Sequence, residues 1–120
     1  MVKKIKHVKK KKIPKALKDL VWNKYYSKQK GNCVCCGINE ISISTYEAGH
    51  IIAESKGGKT DINNLAPVCS TCNKSMGIKN MKEFMKDNFG RDFNCVVSDL
   101  NKKKIMGGII NFITSKIGLT

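Results

Sequence analysis

The sequence predicts a small α+β domain, and three observations carry that prediction. The chain has 120 residues, which is the length of one domain with a short extension. Two short segments rich in β-branched or apolar residues lie in its middle part, and amphipathic helical patterns lie on either side. Two Cys-x-x-Cys pairs flank the strand-like segments, and such pairs commonly bind a structural metal in small domains.

The chain is strongly basic. It has 23 basic residues against 9 acidic residues, and its net charge is +14. This balance excludes an acidic surface of the kind that attracts cations or cationic substrates, and it favours a polyanionic partner such as nucleic acid. Every basic residue except Arg91 is a lysine. Because lysines contact phosphates as mobile point charges and read base edges poorly, we expect backbone contacts and little sequence recognition.

A reducing compartment is expected. No stretch reaches the roughly 18 consecutive apolar residues of a membrane helix, and the N-terminus has no apolar signal-peptide core. We therefore expect an intracellular protein of the cytoplasm or nucleus, neither secreted nor membrane-bound. In such a compartment the six cysteines indicate metal ligands rather than disulfides.

A basic arm and a helix come first. Residues 1–13 form a lysine-rich arm that either binds phosphates or only keeps the chain soluble. Pro14 suits the first turn of a helix, which we expect to run for about four turns and to end at Gly31-Asn32. Trp22 is expected at the margin of its apolar face. That face contains Leu17, Leu20, Val21 and Tyr25.

Two strands and further helices follow. A strand is predicted over Ile41 to Ile52, and a second one over Leu65 to Val68, with a turn-rich Lys-Gly-Gly-Lys loop between them. Asn80 and Glu83 form a capping-box pattern that opens a helix carrying Phe84, Met85 and Phe89. Residues 91–120 are predicted as a C-terminal extension with a docking helix, although Gly107-Gly108 interrupts its apolar pattern.

The two cysteine pairs predict a zinc site. They are Cys33 with Cys36 and Cys69 with Cys72. Four thiolates satisfy the tetrahedral geometry of zinc, and two residues between the cysteines allow a tight turn to bring both sulfurs to one ion. Since the protein would fill every position, the zinc would be structural, with one ion per chain. A redox dithiol is the alternative for either pair alone.

The segment between the pairs is longer than a simple zinc finger needs, which is roughly 12 to 20 residues. It contains His50, two adjacent asparagines and several acidic residues, and Asn73 directly follows the last cysteine of the second pair. Two cysteines, Cys35 and Cys95, are left over, and we expect Cys95 to be a small buried residue.

These residues resemble the HNH endonucleases, also called ββα-metal or His-Me finger nucleases. The resemblance covers about residues 31–77, and the basic helix before it and the Met-Lys-x-Phe helix after it look like those of HNH proteins of phages and large DNA viruses. It rests on Cys33-x-x-Cys36-Gly37, Glu47-Ala48-Gly49-His50-Ile51-Ile52, Ser55-Lys56-Gly57-Gly58, Asp61-Ile62-Asn63-Asn64-Leu65 and Cys69-x-x-Cys72-Asn73-Lys74.

The resemblance implies an HNH nuclease domain over residues 14–90, which hydrolyses DNA phosphodiester bonds. His50 would be the general base that deprotonates the attacking water. Asn64 would brace the loop that positions the histidine. Asn73 would be a ligand of a catalytic divalent metal, Mg²⁺ or Mn²⁺, and the zinc would be a scaffold.

The chemistry of these residue types agrees with the implied roles. Histidine can take up a proton near neutral pH. A Mg²⁺-like ion prefers oxygen ligands and keeps several waters, so one or two protein oxygens suffice. Asn73 offers an amide oxygen, and zinc bound to the adjacent Cys72 would fix its position. Without the surrounding motif, His50 would be interpreted as a structural histidine.

The sequence departs from the family pattern at Gly49. Many family members have an acidic residue or a histidine there as a second metal ligand. Because alternate residues of a strand share a face, Glu47 lies on the same face as Gly49 and is a candidate for that role, directly or through water. Two other interpretations stay open, in which Glu47 is simply exposed or the metal is bound more weakly by Asn73, water and the substrate phosphates.

Two functions are therefore carried forward. The first is a metal-dependent DNA endonuclease acting on double-stranded DNA, with low intrinsic specificity or with specificity supplied by a partner or a second copy of the chain. The second, favoured by Gly49, is a zinc-stabilised nucleic-acid binding module without catalysis. A RING-like interaction protein is disfavoured because a second zinc site has no ligands. The lysines expected to contact DNA are Lys9, Lys10, Lys11, Lys12, Lys24, Lys28, Lys56, Lys59 and Lys74.

Overall fold

Helices surround two small antiparallel sheets. The computed structural model describes the backbone of residues 12–116 and the side chains of residues 12–105. Short 3₁₀ turns lie between the last two strands, at Glu54–Lys56 and Ile62–Asn64. The elements, in order, are α1 (Lys15–Tyr25), β1 (Lys30–Asn32), β2 (Glu40–Ser42), β3 (Glu47–His50), β4 (Leu65–Val68), α2 (Ser70–Met76), α3 (Met81–Phe89) and α4 (Phe93–Lys116). The predicted α+β class is confirmed, and β3, β4 and α2 follow one another in ββα order.

Some predicted features lie outside these residues. They are residues 1–11 of the basic arm, which include Lys9, Lys10 and Lys11, and the apolar side chains expected beyond Ile105 near the C-terminus. Within the described part of the chain, no helix is both long enough and apolar enough to cross a membrane.

The two hairpins have defined registers. In the first, β1 pairs with β2 so that Lys30 lies opposite Ser42. In the second, β3 pairs with β4 so that Glu47 lies opposite Val68 and His50 lies opposite Leu65. All four residues of β4 are buried, so the second hairpin is fixed against the core along its whole length.

The prediction of one strand over Ile41 to Ile52 is wrong. The chain turns sharply after Ser42, whose carbonyl accepts hydrogen bonds from the backbone N–H groups of Thr45 (3.1 Å) and Tyr46 (3.0 Å). The Ser42 and Thr45 hydroxyls also lie 2.7 Å apart. These bonds offer the backbone an alternative to a continuous strand, and β-branched composition alone does not reveal them. The segment therefore supplies β2 to one sheet and β3 to the other.

The first helix is shorter than predicted, and its buried face differs. It has 11 residues and ends at Tyr25, because Tyr26 is already extended. Trp22, expected at the margin, is 1% exposed, whereas Leu20, expected on the apolar face, is 56% exposed. The indole N–H donates to the Lys28 carbonyl at 2.7 Å, so the polar atom of Trp22 can be buried without losing a hydrogen bond.

An aromatic cluster joins α1 to both hairpins. The Trp22 ring centroid lies 4.6 Å from that of Tyr26 and 5.3 Å from that of Tyr46. The Tyr46 hydroxyl donates to the Lys18 carbonyl and the Tyr26 hydroxyl to the Asn32 carbonyl. The cluster therefore buries large rings while every polar atom that it encloses has a partner.

The C-terminal helices depart from the sequence predictions in detail. Asn80 precedes α3 as expected, but its side chain accepts a hydrogen bond from the Ala53 backbone N–H (2.9 Å) instead of capping the helix. Phe89 is partly exposed. Cys95 is exposed rather than buried, because it lies on the outer face of the first turn of α4, which Asp92 caps. The backbone of α4 is helical through the two glycines that were expected to interrupt it.

We expect Trp22→Ala to lower the free energy of unfolding by about 3–5 kcal/mol, because it removes a fully buried ring and leaves a cavity. Leu20→Ala, on the same helix but exposed, should change it by less than about 0.5 kcal/mol. Urea denaturation followed by far-ultraviolet circular dichroism, in saturating zinc, measures both. Equal losses in the two variants would contradict the packing described here.

Candidate functional site

The four predicted ligand cysteines come together. The Sγ atoms of Cys33, Cys36, Cys69 and Cys72 all lie within 4.8 Å of one another, and all four residues are buried. Zn–S bonds of about 2.3 Å in a tetrahedral site separate the sulfurs by about 3.8 Å. A small contraction around one ion would therefore complete the coordination. The prediction that these four residues are placed to bind a metal is confirmed.

N–H groups are directed at the sulfurs. The backbone N–H of Cys69 donates to Cys33 Sγ (3.2 Å), and that of Cys72 donates to Cys69 Sγ (3.4 Å). Asn39 donates from its backbone to Cys36 Sγ (3.5 Å) and from its side chain to Cys69 Sγ (3.3 Å). Such bonds stabilise the thiolate form, which is the form that binds zinc.

The protein environment gives these thiols different pKa values. A hydrogen bond from the Cys35 thiol is the largest influence on Cys33 and helps to lower its pKa to about 4. The same bond raises the pKa of the buried Cys35, since deprotonation would remove the donor. Burial raises the pKa of Cys72. The environment of Cys33 therefore favours its thiolate form, and a divalent metal ion bound by the four cysteines would favour loss of the proton from Cys72.

A glycine and the only arginine support the first cysteine loop. Gly37 has φ of +70°, and a Cβ atom there would lie 2.6 Å from Nη1 of Arg91. The guanidinium also donates to the Val34 carbonyl (3.4 Å). A side chain at position 37 would therefore be strained and would displace the arginine from the loop.

The second cysteine pair connects the metal centre to the second hairpin. Strand β4 ends at Val68, Cys69 directly follows it, and α2 begins at Ser70. Cys72 and Asn73 are adjacent in α2. The loop that carries the sulfur ligands therefore also sets the position of the Asn73 amide.

His50 lies at the end of β3 and is partly exposed. Its Nε2 atom is 2.9 Å from the hydroxyl oxygen of Thr60, so one ring nitrogen has a partner in the loop between β3 and β4. The sequence analysis did not identify Thr60, because its contact with His50 depends on how that loop folds back.

Asn64 closes the loop that follows His50. Its side-chain oxygen accepts from the Ile52 backbone N–H (2.8 Å), and its amide nitrogen donates to the carbonyls of Ile52 (3.0 Å) and Lys59 (2.9 Å). The carbonyl of Asn64 accepts from the Ile51 N–H (2.8 Å). The loop passes so close to itself that a Cβ on Gly58 would lie 1.8 Å from the Ile52 oxygen.

Glu47 of β3 and Asn73 of α2 contact each other. The Asn73 amide nitrogen donates to Glu47 Oε1 at 3.1 Å. A Cβ on Gly49 would lie 3.3 Å from Asn73 Oδ1 and 3.0 Å from a methyl carbon of Val68. The missing side chain at position 49 therefore gives Asn73 room beside the strand.

One groove receives these side chains. It has a volume of about 800 Å³, and its lining residues include His50, Glu47, Asn73 and Thr60. Asn64 is not among the residues that line it, and its side chain bonds to the loop backbone instead. The four lysines that also line the groove are Lys12, Lys18, Lys74 and Lys79. An anionic substrate that entered this groove would thus meet an imidazole, a carboxylate, an amide and several cations.

Residues 33–77 match the family model described as HNH endonuclease. The chain carries an HNH domain. Comparison with curated proteins and with solved structures found no match. The matched segment contains both cysteine pairs and the β3–β4–α2 unit.

The lysines predicted to contact DNA are spread over the HNH domain and its flanks. Lys12 and Lys74 line the groove. Lys24 lies near the loop after β3, with its amine 3.3 Å from the Ile62 carbonyl. Lys56 is 3.8 Å from a carboxylate oxygen of Glu83. Lys59 is exposed, and Lys28 lines a different groove. Lys18 of α1 and Lys79, which lies between α2 and α3, were not predicted to contact DNA, because sequence alone did not relate either position to this groove.

We expect the HNH domain to bind one zinc ion per chain, as measured by native mass spectrometry. Cys72→Ser should lose the ion and the cooperative unfolding transition, because the free energy of zinc binding is part of the free energy of folding. Cys95→Ser is the matched control and should keep both, since Cys95 is exposed and outside the site. Retention of zinc by Cys72→Ser would contradict the four-thiolate site.

Proposed function

We propose that the chain is a metal-dependent endonuclease that hydrolyses phosphodiester bonds of DNA in the groove described above. The observation that supports this most directly is that His50, Glu47 and Asn73 line one groove of an HNH domain. The lysines beside them favour an anionic substrate.

His50 is the general base in this proposal. We assign the Nε2 proton to the hydrogen bond with Thr60, which leaves Nδ1 with the lone pair that accepts a proton from water. The water oxygen then forms a bond to phosphorus as the bond to the leaving oxygen breaks. Thr60 and Asn64 act by positioning, because the first orients the ring and the second fixes the loop beside it.

Glu47 and Asn73 are proposed to bind the catalytic cation. Rotation of the Asn73 amide by half a turn would bring its oxygen to the position 3.1 Å from Glu47 Oε1 that its nitrogen occupies. Adjacent oxygen ligands of an octahedral Mg²⁺ site are about 3 Å apart, so this pair fits Mg²⁺ or Mn²⁺. When bound, such an ion would neutralise charge on the phosphate and on the leaving oxygen. Glu47 thus supplies the carboxylate that Gly49 cannot.

Double-stranded DNA is the proposed substrate, with low intrinsic sequence specificity. Arginine is the residue best suited to bidentate recognition of guanine, and the only arginine of the chain supports a cysteine loop instead. Specificity would then come from a partner protein or from a second copy of the chain. The thiolate zinc site is suited to a reducing intracellular compartment.

A zinc-stabilised DNA-binding module without catalysis is the second candidate. Gly49 favours it, because the residue next to His50 provides no metal ligand. In that case DNA binding would fall steeply with salt, and no divalent metal would support cleavage.

His50→Ala should abolish nicking of supercoiled plasmid in Mg²⁺ or Mn²⁺, because it removes the group that is proposed to take the proton from water. DNA affinity should stay within about twofold, since the substitution changes no lysine. Lys102→Gln on α4 is a control that should keep cleaving. Cleavage by His50→Ala at the wild-type rate would remove His50 as the base, and failure of the wild type in every metal would select the binding module.

Glu47→Ala should raise the Mg²⁺ concentration needed for half-maximal cleavage by about tenfold or more, because it removes an anionic oxygen ligand. Glu40→Ala removes an exposed carboxylate from β2 and should leave the Mg²⁺ requirement unchanged. Titration of plasmid cleavage with Mg²⁺ measures both variants. An unchanged requirement in Glu47→Ala would exclude Glu47 as a ligand.

A further inference from the structure

The groove lined by His50, Glu47 and Asn73 is called the catalytic groove below. A second groove lies at the opposite end of α1. It has a volume of about 670 Å³ and lies between β1 and α4. Lys18 near the start of α1 lines the catalytic groove, whereas Tyr25 at its end lines the second one. These two residues lie about 10 Å apart along the helix axis, and no described residue lines both grooves, so the grooves are separate surfaces of one domain.

The second groove is strongly cationic. Among the described residues that line it, Asp99 is the acidic one, and the basic ones are Lys28, Lys30, Arg91, Lys103 and Lys104. None of these five cations forms a salt bridge with another described residue, whereas Lys15, Lys56 and Lys79 elsewhere in the chain do. Within the part of the protein that the structure describes, Asp99 therefore offsets only one of the five positive charges that line the groove.

The Arg91 guanidinium contributes a fixed charge to the floor of this groove. It is held against Gly37 and the Val34 carbonyl, and its Nε atom is buried with no hydrogen-bond partner among the described residues. Burying a charged donor that lacks a partner is unfavourable, and a nearby anion reduces that cost. Lys104, by contrast, donates to the Asn23 carbonyl of α1 at 2.6 Å and fixes one wall.

We propose that this groove binds a second stretch of the DNA phosphate backbone, apart from the phosphate that is cleaved. Protein partners usually insert aromatic or aliphatic anchors into apolar surface. The large exposed apolar residues of the described chain, such as Leu20, Ile38 and Ile105, do not line this groove. The apolar residues that do line it, such as Tyr25, Val96 and Leu100, are buried or half-buried, whereas Lys28, Lys30 and Lys103 are exposed. Repeated phosphates need an array of such exposed cations.

This inference deepens the proposed function, because it takes DNA as the polyanion, but it does not require cleavage. With two separate contacts on one duplex, the second groove would retain DNA while the catalytic groove engages the scissile bond. Loss of its charges should weaken binding and raise KM, and it should leave kcat at saturating DNA unchanged.

The test compares two double variants of the zinc-loaded full chain. Lys30→Gln with Lys103→Gln removes two charges from the groove. Lys86→Gln with Lys102→Gln removes two charges from exposed lysines of α3 and α4 that do not line it. Fluorescence anisotropy with a labelled DNA duplex, at several salt concentrations and without added Mg²⁺, gives the affinity and its salt dependence. Zinc content and circular dichroism establish that each variant is folded.

We expect the groove variant to bind DNA about tenfold more weakly and to lose nearly two from the slope of log affinity against log salt, since each phosphate contact contributes about 0.9. The control variant should lose much less of both. Equal losses would overturn the proposal, because only net charge would then matter. A Lys28→Gln, Lys30→Gln variant provides a second measurement if the first does not fold.

A competition experiment tests the alternative occupant. Poly-glutamate should displace the DNA from the wild-type protein only at concentrations far above those of unlabelled duplex. If poly-glutamate binds as tightly as DNA and the groove variant loses that binding, the groove serves an acidic protein segment and the proposal is wrong. Because binding is measured without catalysis, a wild-type protein that never cleaves would refute the endonuclease while leaving this result interpretable.

Discussion

The four-thiolate metal site is the interaction on which the other parts of this structure depend. It joins Cys33 and Cys36, which follow the first hairpin strand, to Cys69 and Cys72, which follow the last strand. A domain of this size buries a modest core, and binding of structural zinc can contribute on the order of 10–16 kcal/mol to folding. The site also sets the start of α2, and therefore the Asn73 amide, relative to β3. The same site therefore stabilises the fold and positions Asn73 in the groove.

The pairing of β3 with β4 positions the other side chains of the groove relative to the cysteine pairs. The register of β3 against β4 places Glu47 opposite Val68, next to the second cysteine pair, and places His50 at the far end of the same strand. Asn73 then reaches Glu47 from α2, and Thr60 reaches His50 from the loop. The groove side chains therefore come from one strand, one helix and one loop, and hydrogen bonds within the protein hold them in place.

The sequence was sufficient to predict the α+β class, the four cysteines that are placed to bind a metal and the second strand of the ββα unit, because spacing and chemistry identify these directly. The sequence did not predict features that depend on contacts formed only in the folded chain. The Ser42 turn divides an apparently continuous strand, and the Lys28 carbonyl allows Trp22 to be buried. The Asn80 side chain bonds to Ala53 rather than to its own helix. The contact between Thr60 and His50 was not predictable for the same reason, since nothing in the local sequence of Thr60 indicates it.

The hydrogen bonds that hold the loop between β3 and β4 affect which parts of its surface can vary during evolution. Asn64 and Asn80 bind its main-chain atoms at Ile52, Ala53 and Lys59, so the outward side chains of the loop take no part in these bonds. At its tip the side chains of Lys56 and Lys59 are exposed, whereas Gly57, with φ of +91°, has a backbone conformation that favours glycine. Natural variation could therefore change the charge of this exposed surface while His50 keeps its position in the domain.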